Sequence, residues 1–375
     1  MSKRLLPLPL LGLAAALSTA PGNLLAQGVL VGANDVGIGI GDVRKVTGIR
    51  INYRDRGDFD VHGINITIWT PYEGDLRGEV HGLAIGLPAT GAARIQGIGV
   101  GIFGVGTSEE FSGIGIGGLG VGAGNDIEGI HVGGLGVGAG DDVSGIAVGG
   151  LGVGGGGRAT GLLVGGLGAG VGEDVRGIAL GGLGVGAGGD FTGIGIGGAG
   201  VGSGGRIQGL VIGGLGVGAG ESLKGISVGG VGVGSGGDIS GLAIGGIGVG
   251  SGQDIRGVAF GGVGVGAGNS IRWLAISAVG VGSPKIVGAA IAPLVGAEDM
   301  TALVIAPAYM RIEHGVFRGV SASAFNHIKG EQRGLTIGVV NYAWRLHGVQ
   351  LGLINVAKSN PRGLRVLPIV NFDAR

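Results

Sequence analysis

Ten residues spaced sixteen apart form the most conspicuous chemistry-bearing pattern in this chain: Asp126, Asp142, Arg158, Asp174, Asp190, Arg206, Ser222, Asp238, Asp254 and Ser270. Carboxylates that recur beside glycines are oxygen ligands of the kind that hold a hard cation such as calcium. Arg158 and Arg206 interrupt the series after two aspartates each, which favours a charge-balanced solvent edge, because an interposed cation relieves repulsion between neighbouring carboxylates. The histidines His62, His81, His131, His314, His327 and His347 show no metal-ligand spacing, and no cysteine is present to complete a set. Gly120-x-Gly122-x-Gly124 imitates a phosphate loop, yet no Gly-Lys-Ser/Thr follows and no helical pattern receives it. Polysaccharide-cleaving β-helices need carboxylates clustered on one face, whereas here they fall at the turn edge and in the first hundred residues. The expectation is therefore no enzyme: no catalytic, cofactor-binding or metal-binding residue is assigned, and no cofactor or small-molecule substrate is identified.

These residues are carried by a sixteen-residue unit that repeats ten times without a gap from Gly113 to Arg272. Each copy reads Gly, aliphatic, any, aliphatic, Gly, Gly, aliphatic, Gly, Val, Gly, Ala/Ser, Gly, then four residues that are polar except for the third. Gly129 to Ser144 is one example. A fixed period without insertions means stacked units in equivalent surroundings, each unable to bury its apolar residues alone. The aliphatic residues at positions 2 and 4 and those at 7 and 9 have opposite parity. The glycine pair at 5 and 6 therefore marks a corner or a bulge.

Two architectures fit this pattern. The favoured one is an all-β parallel solenoid with one coil per repeat, positions 2, 4, 7, 9 and 15 filling a narrow core. Some twenty coils would make a rod on the order of 100 Å long at the usual strand spacing. The alternative is a transmembrane β-barrel with one strand per unit. Uniform turns, a lumen lined by glycine, and a repeat array with no tyrosine or tryptophan count against the barrel. Position 8 is glycine in all ten strict copies, while the eighth residue of three closing units is Asn326, Asn341 or Asn355. Glycine and asparagine both tolerate a left-handed backbone, so a positive φ is expected there in preference to an asparagine side-chain ladder. His131, at the variable position 3, is expected to face outward.

Composition narrows the class further. Glycine supplies 99 of 375 residues, but with 10 prolines and a sixteen-residue cycle this is not collagen. Hydrophobic residues make up 44% and recur in phase, which argues against disorder. Lys plus Arg equals Asp plus Glu at 25 each, so the electrostatic footprint of a nucleic-acid binder is missing. Lys3, Arg4 and the apolar run Leu5 to Leu17 resemble a secretory leader, with cleavage expected after Ala26. The chain thus divides into a leader (1–26), degenerate β units (27–96), the glycine-rich array (97–288) and closing units (289–375), with atypical ends as a stack requires.

Two resemblances bear on function. Gly122 to Asp126 resembles the calcium-binding glycine-aspartate repeat of bacterial RTX toxins, but the period here is sixteen and theirs is nine. Gly334-Leu335-Thr336-Ile337-Gly338-Val339-Val340-Asn341, Gly348-Val349-Gln350-Leu351-Gly352-Leu353-Ile354-Asn355 and the ending Leu367-Pro368-Ile369-Val370-Asn371-Phe372 resemble a bacterial family of surface repeat-containing proteins. The match covers about the last fifty residues, and the glycine-dominated centre departs from it. The resemblance implies an exposed protein of the bacterial envelope and supplies no catalytic residues. The functional expectation is an exported structural or adhesive protein at the cell surface or outer membrane, with envelope contact and self-association as its interactions. The barrel alternative carries a transport or anchoring role.

Overall fold

The computed structural model describes residues 28–72, Gly74 and residues 76–373; the expected leader lies outside the described residues. The fold is an all-β parallel solenoid of about 18 turns. Each strand pairs with the equivalent strand one unit away. Ile127–Gly133 runs parallel to Val143–Gly149 with Ile127 opposite Val143, and Gly136–Ala139 runs parallel to Gly152–Gly155. Neighbouring strands of an outer-membrane barrel are antiparallel, so this pairing sets the barrel aside. At about 4.8 Å per turn the stack is roughly 85 Å long.

One coil consists of a long strand from position 15 to position 5, a two-residue corner, a short strand from 8 to 11, and a turn. Of the corner or bulge expected, the chain forms a corner: Gly133 ends one strand, and Gly134 and Leu135 turn the chain before Gly136 begins the next. The expected core is only partly right. Val137 at position 9 and Val143 at position 15 are buried, as are their equivalents along the stack. Positions 2, 4 and 7 instead face solvent, with Ile130 44%, Val132 40% and Leu135 49% exposed. The reason is strand parity. The long strand begins inward at position 15, so positions 1, 3 and 5 also point in and positions 2 and 4 point out.

Position 3 is therefore a core position, and much of its variability is volume compensation. It shares the inward face with position 15 of the same strand, and the largest residues at one meet the smallest at the other, with Ile127/His131 and Ile207/Val211 as exceptions. Phe111 is paired with Gly115, Phe191 with Gly195, and Ala159 with Leu163. A Cβ on Gly115 would lie 2.7 Å from the Phe111 ring, and one on Gly195 2.9 Å from the Phe191 ring. Close-packed interiors accept such exchanges only when total volume is kept. His131 belongs to this column and is fully buried, contrary to the outward placement expected for it.

The left-handed backbone falls at position 1, not position 8. The leading glycine of the ten strict copies has φ between 110° and 134°, and a Cβ there would come well inside 3.0 Å of the preceding coil's carbonyl oxygen. Position 8 has no positive φ in any strict copy. The closing asparagines have a different origin. The unit from Gly319 to Gly334 is one residue shorter, which moves its eighth residue into the inward column of position 9. Val265, Val281, Val295, Met310 and Asn326 stack in succession. Asn326, Asn341 and Asn355 are fully buried; Asn326 Nδ2 donates to Asn341 Oδ1 and Asn341 Nδ2 to Asn355 Oδ1, each at 2.7 Å. The side-chain ladder is thus the correct account.

The ends use antiparallel strands and polar cores. Val29–Ala33 folds back on Val36–Ile40 through Asn34 and Asp35, both with positive φ as a two-residue hairpin requires. Val366–Phe372 closes the other end antiparallel to the strand containing Val349 to Val356. In the first coils a buried Arg50–Asp55 pair, 2.9 Å apart, replaces aliphatic packing. Asp55 also accepts from Asn52, Asn65, Thr67, Thr90 and the Gly91 N–H, so the buried carboxylate is saturated. Burial pushes the Arg50 pKa down, with Asp55 opposing.

Candidate functional site: an outward aliphatic face

Because positions 2 and 4 point outward on the long strand, parallel stacking turns them into two aliphatic columns on one sheet. Ile114, Ile130, Ile146, Ile178 and Ile194 are exposed in the first; Ile116, Val132, Ile196, Ile212 and Phe260 are exposed in the second. The corner residue at position 7 adds a ridge of Leu119, Leu135, Leu151, Leu183 and Leu215, between 49% and 61% exposed. The exposed glycine at position 6 places no side chain between ridge and columns. Scattered surface aliphatics need no explanation, whereas a contiguous patch of this length is a candidate interaction surface. Ten strict coils at about 4.8 Å give a face about 48 Å long. With two columns roughly 7 Å apart and the ridge beside them, the face covers on the order of 700 Å², above the patch of a typical monomer.

The aspartate column lies along the turn edge and performs a structural task. Asp142 Oδ1 accepts the Arg158 N–H at 2.7 Å, Asp174 Oδ1 the Asp190 N–H at 2.8 Å, and Asp238 Oδ1 the Asp254 N–H at 3.1 Å. Each carboxylate thereby satisfies a backbone donor of the next coil. Arg158 lies between Asp142 and Glu173, and Arg206 between Asp190 and Glu221, at 3.1–3.8 Å. The Arg206 N–H is the main reason the Asp190 carboxyl is held below the usual range, with the Arg206 side chain adding to it. Asp254 is held low by Arg256 and Ser270, and then by Asn269. Around Pro71 a shallow groove is lined by Thr70, Leu76, Thr90, Phe103 and Val105, with no titratable side chain among its lining residues.

Four of the six histidines fall into three settings. Burial depresses the His131 pKa; one ring nitrogen lies 3.0 Å from the Glu128 carbonyl, and Nδ1 has no hydrogen-bond partner. His327 sits among Tyr309, Phe325 and Tyr342 on the closing coils, 2.8 Å from the Tyr309 hydroxyl. Its pKa is lowered first by burial and then by Lys329. His62 and His81, nineteen residues apart, stand directly opposite one another on adjacent strands. Spacing within the chain concealed this pair. The signal that finds it is that each histidine immediately precedes the leading glycine of its unit. No protein-family model, no curated protein and no solved structure matches the chain.

Proposed function

We propose that this protein is an exported, non-catalytic structural rod of the bacterial cell surface, and that it assembles laterally by packing its aliphatic face against the same face of a second copy. One observation carries the reading: columns 2 and 4 and the ridge at 7 stay apolar and outward through the strict array while the core beneath them varies in size. An unneeded outer face would drift toward polar residues. A second copy is the occupant that suits it, because its corrugation has the same spacing and its face is equally flat. Two such faces would bury about 1,400 Å², within the range of stable specific interfaces. An anionic bilayer fits less well, since the ten strict copies from Gly113 to Arg272 hold ten acidic and six basic residues. The apolar leader supports export, and the closing units' resemblance to surface repeat proteins supports the envelope location.

Sedimentation of the untagged mature chain without detergent tests assembly. Dimers or larger species at micromolar concentration are expected, and Ile130→Lys with Ile146→Lys and Ile178→Lys should return a folded monomer. A monomeric wild-type chain, or one that leaves solution only onto lipid vesicles, would overturn the proposal. Fractionation of the native host with N-terminal sequencing tests export, the expected first residue being Gln27.

A further inference from the structure

We infer that Asp60, His62 and His81 form a binding site for a divalent transition-metal ion of the zinc class, placed on the outer edge of the first coils. This inference does not depend on the assembly proposed above. Parallel register sets His62 opposite His81 and Asp60 opposite Glu79. The imidazoles stack with centroids 4.6 Å apart and planes inclined by 12°. One ligand atom from each of Asp60, His62 and His81 lies within 4.8 Å of the others, and among the described residues this is the group so arranged. In a tetrahedral zinc site with bonds of about 2.0–2.1 Å, ligand atoms sit about 3.4 Å apart. Small side-chain rotations of these partly exposed residues close that gap.

Two further observations point to a cation. Asp60 Oδ1 is occluded and has no hydrogen-bond partner, although His62 Nε2 lies 3.1 Å away. His81 Nδ1 lies 3.1 Å from Gln96 Oε1, an acceptor that suits an Nδ1–H; in that neutral tautomer the Nε2 lone pair faces Glu79 Oε2 at 3.4 Å. A lone pair facing a carboxylate oxygen is repulsive unless a proton or a metal ion lies between them. Gln96 therefore stands as the outer partner that metal-bound histidines usually have, fixing tautomer and ring orientation. Lys45 Nζ, 3.9 Å from Asp60 Oδ2, and Arg94, 3.2 Å from Glu79 Oε1, contact the remaining carboxylate oxygens. A borderline-soft ion that accepts two imidazoles and a carboxylate suits this set better than calcium, which prefers oxygen alone.

The test is calorimetric titration of the untagged mature chain with zinc chloride, and separately with calcium chloride, in a non-coordinating buffer at neutral pH. One zinc per chain with micromolar affinity is expected, with no calcium heat. His62→Ala and His81→Ala should each weaken zinc binding by at least about tenfold, as expected when a ligand is removed. Asp60→Asn should weaken it while keeping the side chain's size, and His347→Ala on a distant coil should leave it unchanged. Circular dichroism confirms that each variant keeps its strand content. Absence of zinc binding below millimolar concentration, or binding that survives both histidine substitutions, would overturn the inference.

Discussion

Replacing Gly193 by alanine, and separately Gly202 by alanine, puts one methyl group into two places in the same coil. The sequence makes them look alike, since both are invariant glycines of the repeat. Gly193 has φ 133°, and a Cβ there would lie well inside 3.0 Å of the Gly177 carbonyl oxygen, a backbone atom that cannot rotate away. The conformational strain is about 1–2 kcal/mol. Displacing the ladder costs about one further hydrogen bond or two, so the total is about 2–4 kcal/mol. Gly202 points outward from the short strand, and a Cβ there meets nothing within 4 Å. Alanine should stabilise that position by about 0.5–1 kcal/mol, because it restricts the unfolded chain. Urea unfolding followed by far-ultraviolet circular dichroism compares the two. Gly193→Ala should lower the midpoint and, by hydrogen exchange, loosen the coils on either side of it, since a stack is held by nearest-neighbour contacts. Gly202→Ala should raise the midpoint slightly. Equal midpoints, or a larger loss at Gly202, would refute the assignment of left-handed backbone to position 1.

Burial depresses the His131 pKa, so the unfolded chain binds a proton that the folded chain resists; its contribution is complete above about 6.5 and is lost as pH falls toward the lowered folded value. His131→Ala, which reproduces Ala147 in the next coil, should flatten stability between pH 7 and pH 5 in thermal melts, and an unchanged slope would reject this origin. Arg50→Met should cost about 3–5 kcal/mol by leaving Asp55 buried without its cation, and adding Asp55→Met should restore part of that loss in the same urea assay. Failure of the double variant to exceed the single would show that the pair is needed for more than mutual neutralisation. Asn341→Leu removes both 2.7 Å bonds of the asparagine ladder and should destabilise the closing coils by about 2–4 kcal/mol. Hydrogen exchange should then accelerate in residues 319–357 and stay unchanged in residues 113–272; a uniform effect would contradict a local ladder.

Much of the architecture was legible in the residues. A gapless sixteen-residue period favoured stacked coils over a barrel, and the change of parity at Gly133 and Gly134 called for a corner or a bulge. Atypical ends were legible too, because the last coils of a stack face solvent. Which aliphatic residues lie inside was not legible from hydropathy. Ile130 and Val132 are as apolar as Val137 and Val143, yet the first two are outside. A clue was present at position 3. Gly115 accompanies Phe111 and Leu163 accompanies Ala159, an inverse relation in size that only neighbours in a packed core have reason to keep.

What the sequence determined by itself is the repeat, the all-β class and a break in the middle of each unit, since these follow from period and backbone preference along a single coil. Tertiary structure decided which face of each strand is buried, that the closing asparagines fill the valine column, and that His62 meets His81. Each depends on where a strand begins and on the register between coils. A shift of one residue in either reverses the outcome, and no single unit contains that information.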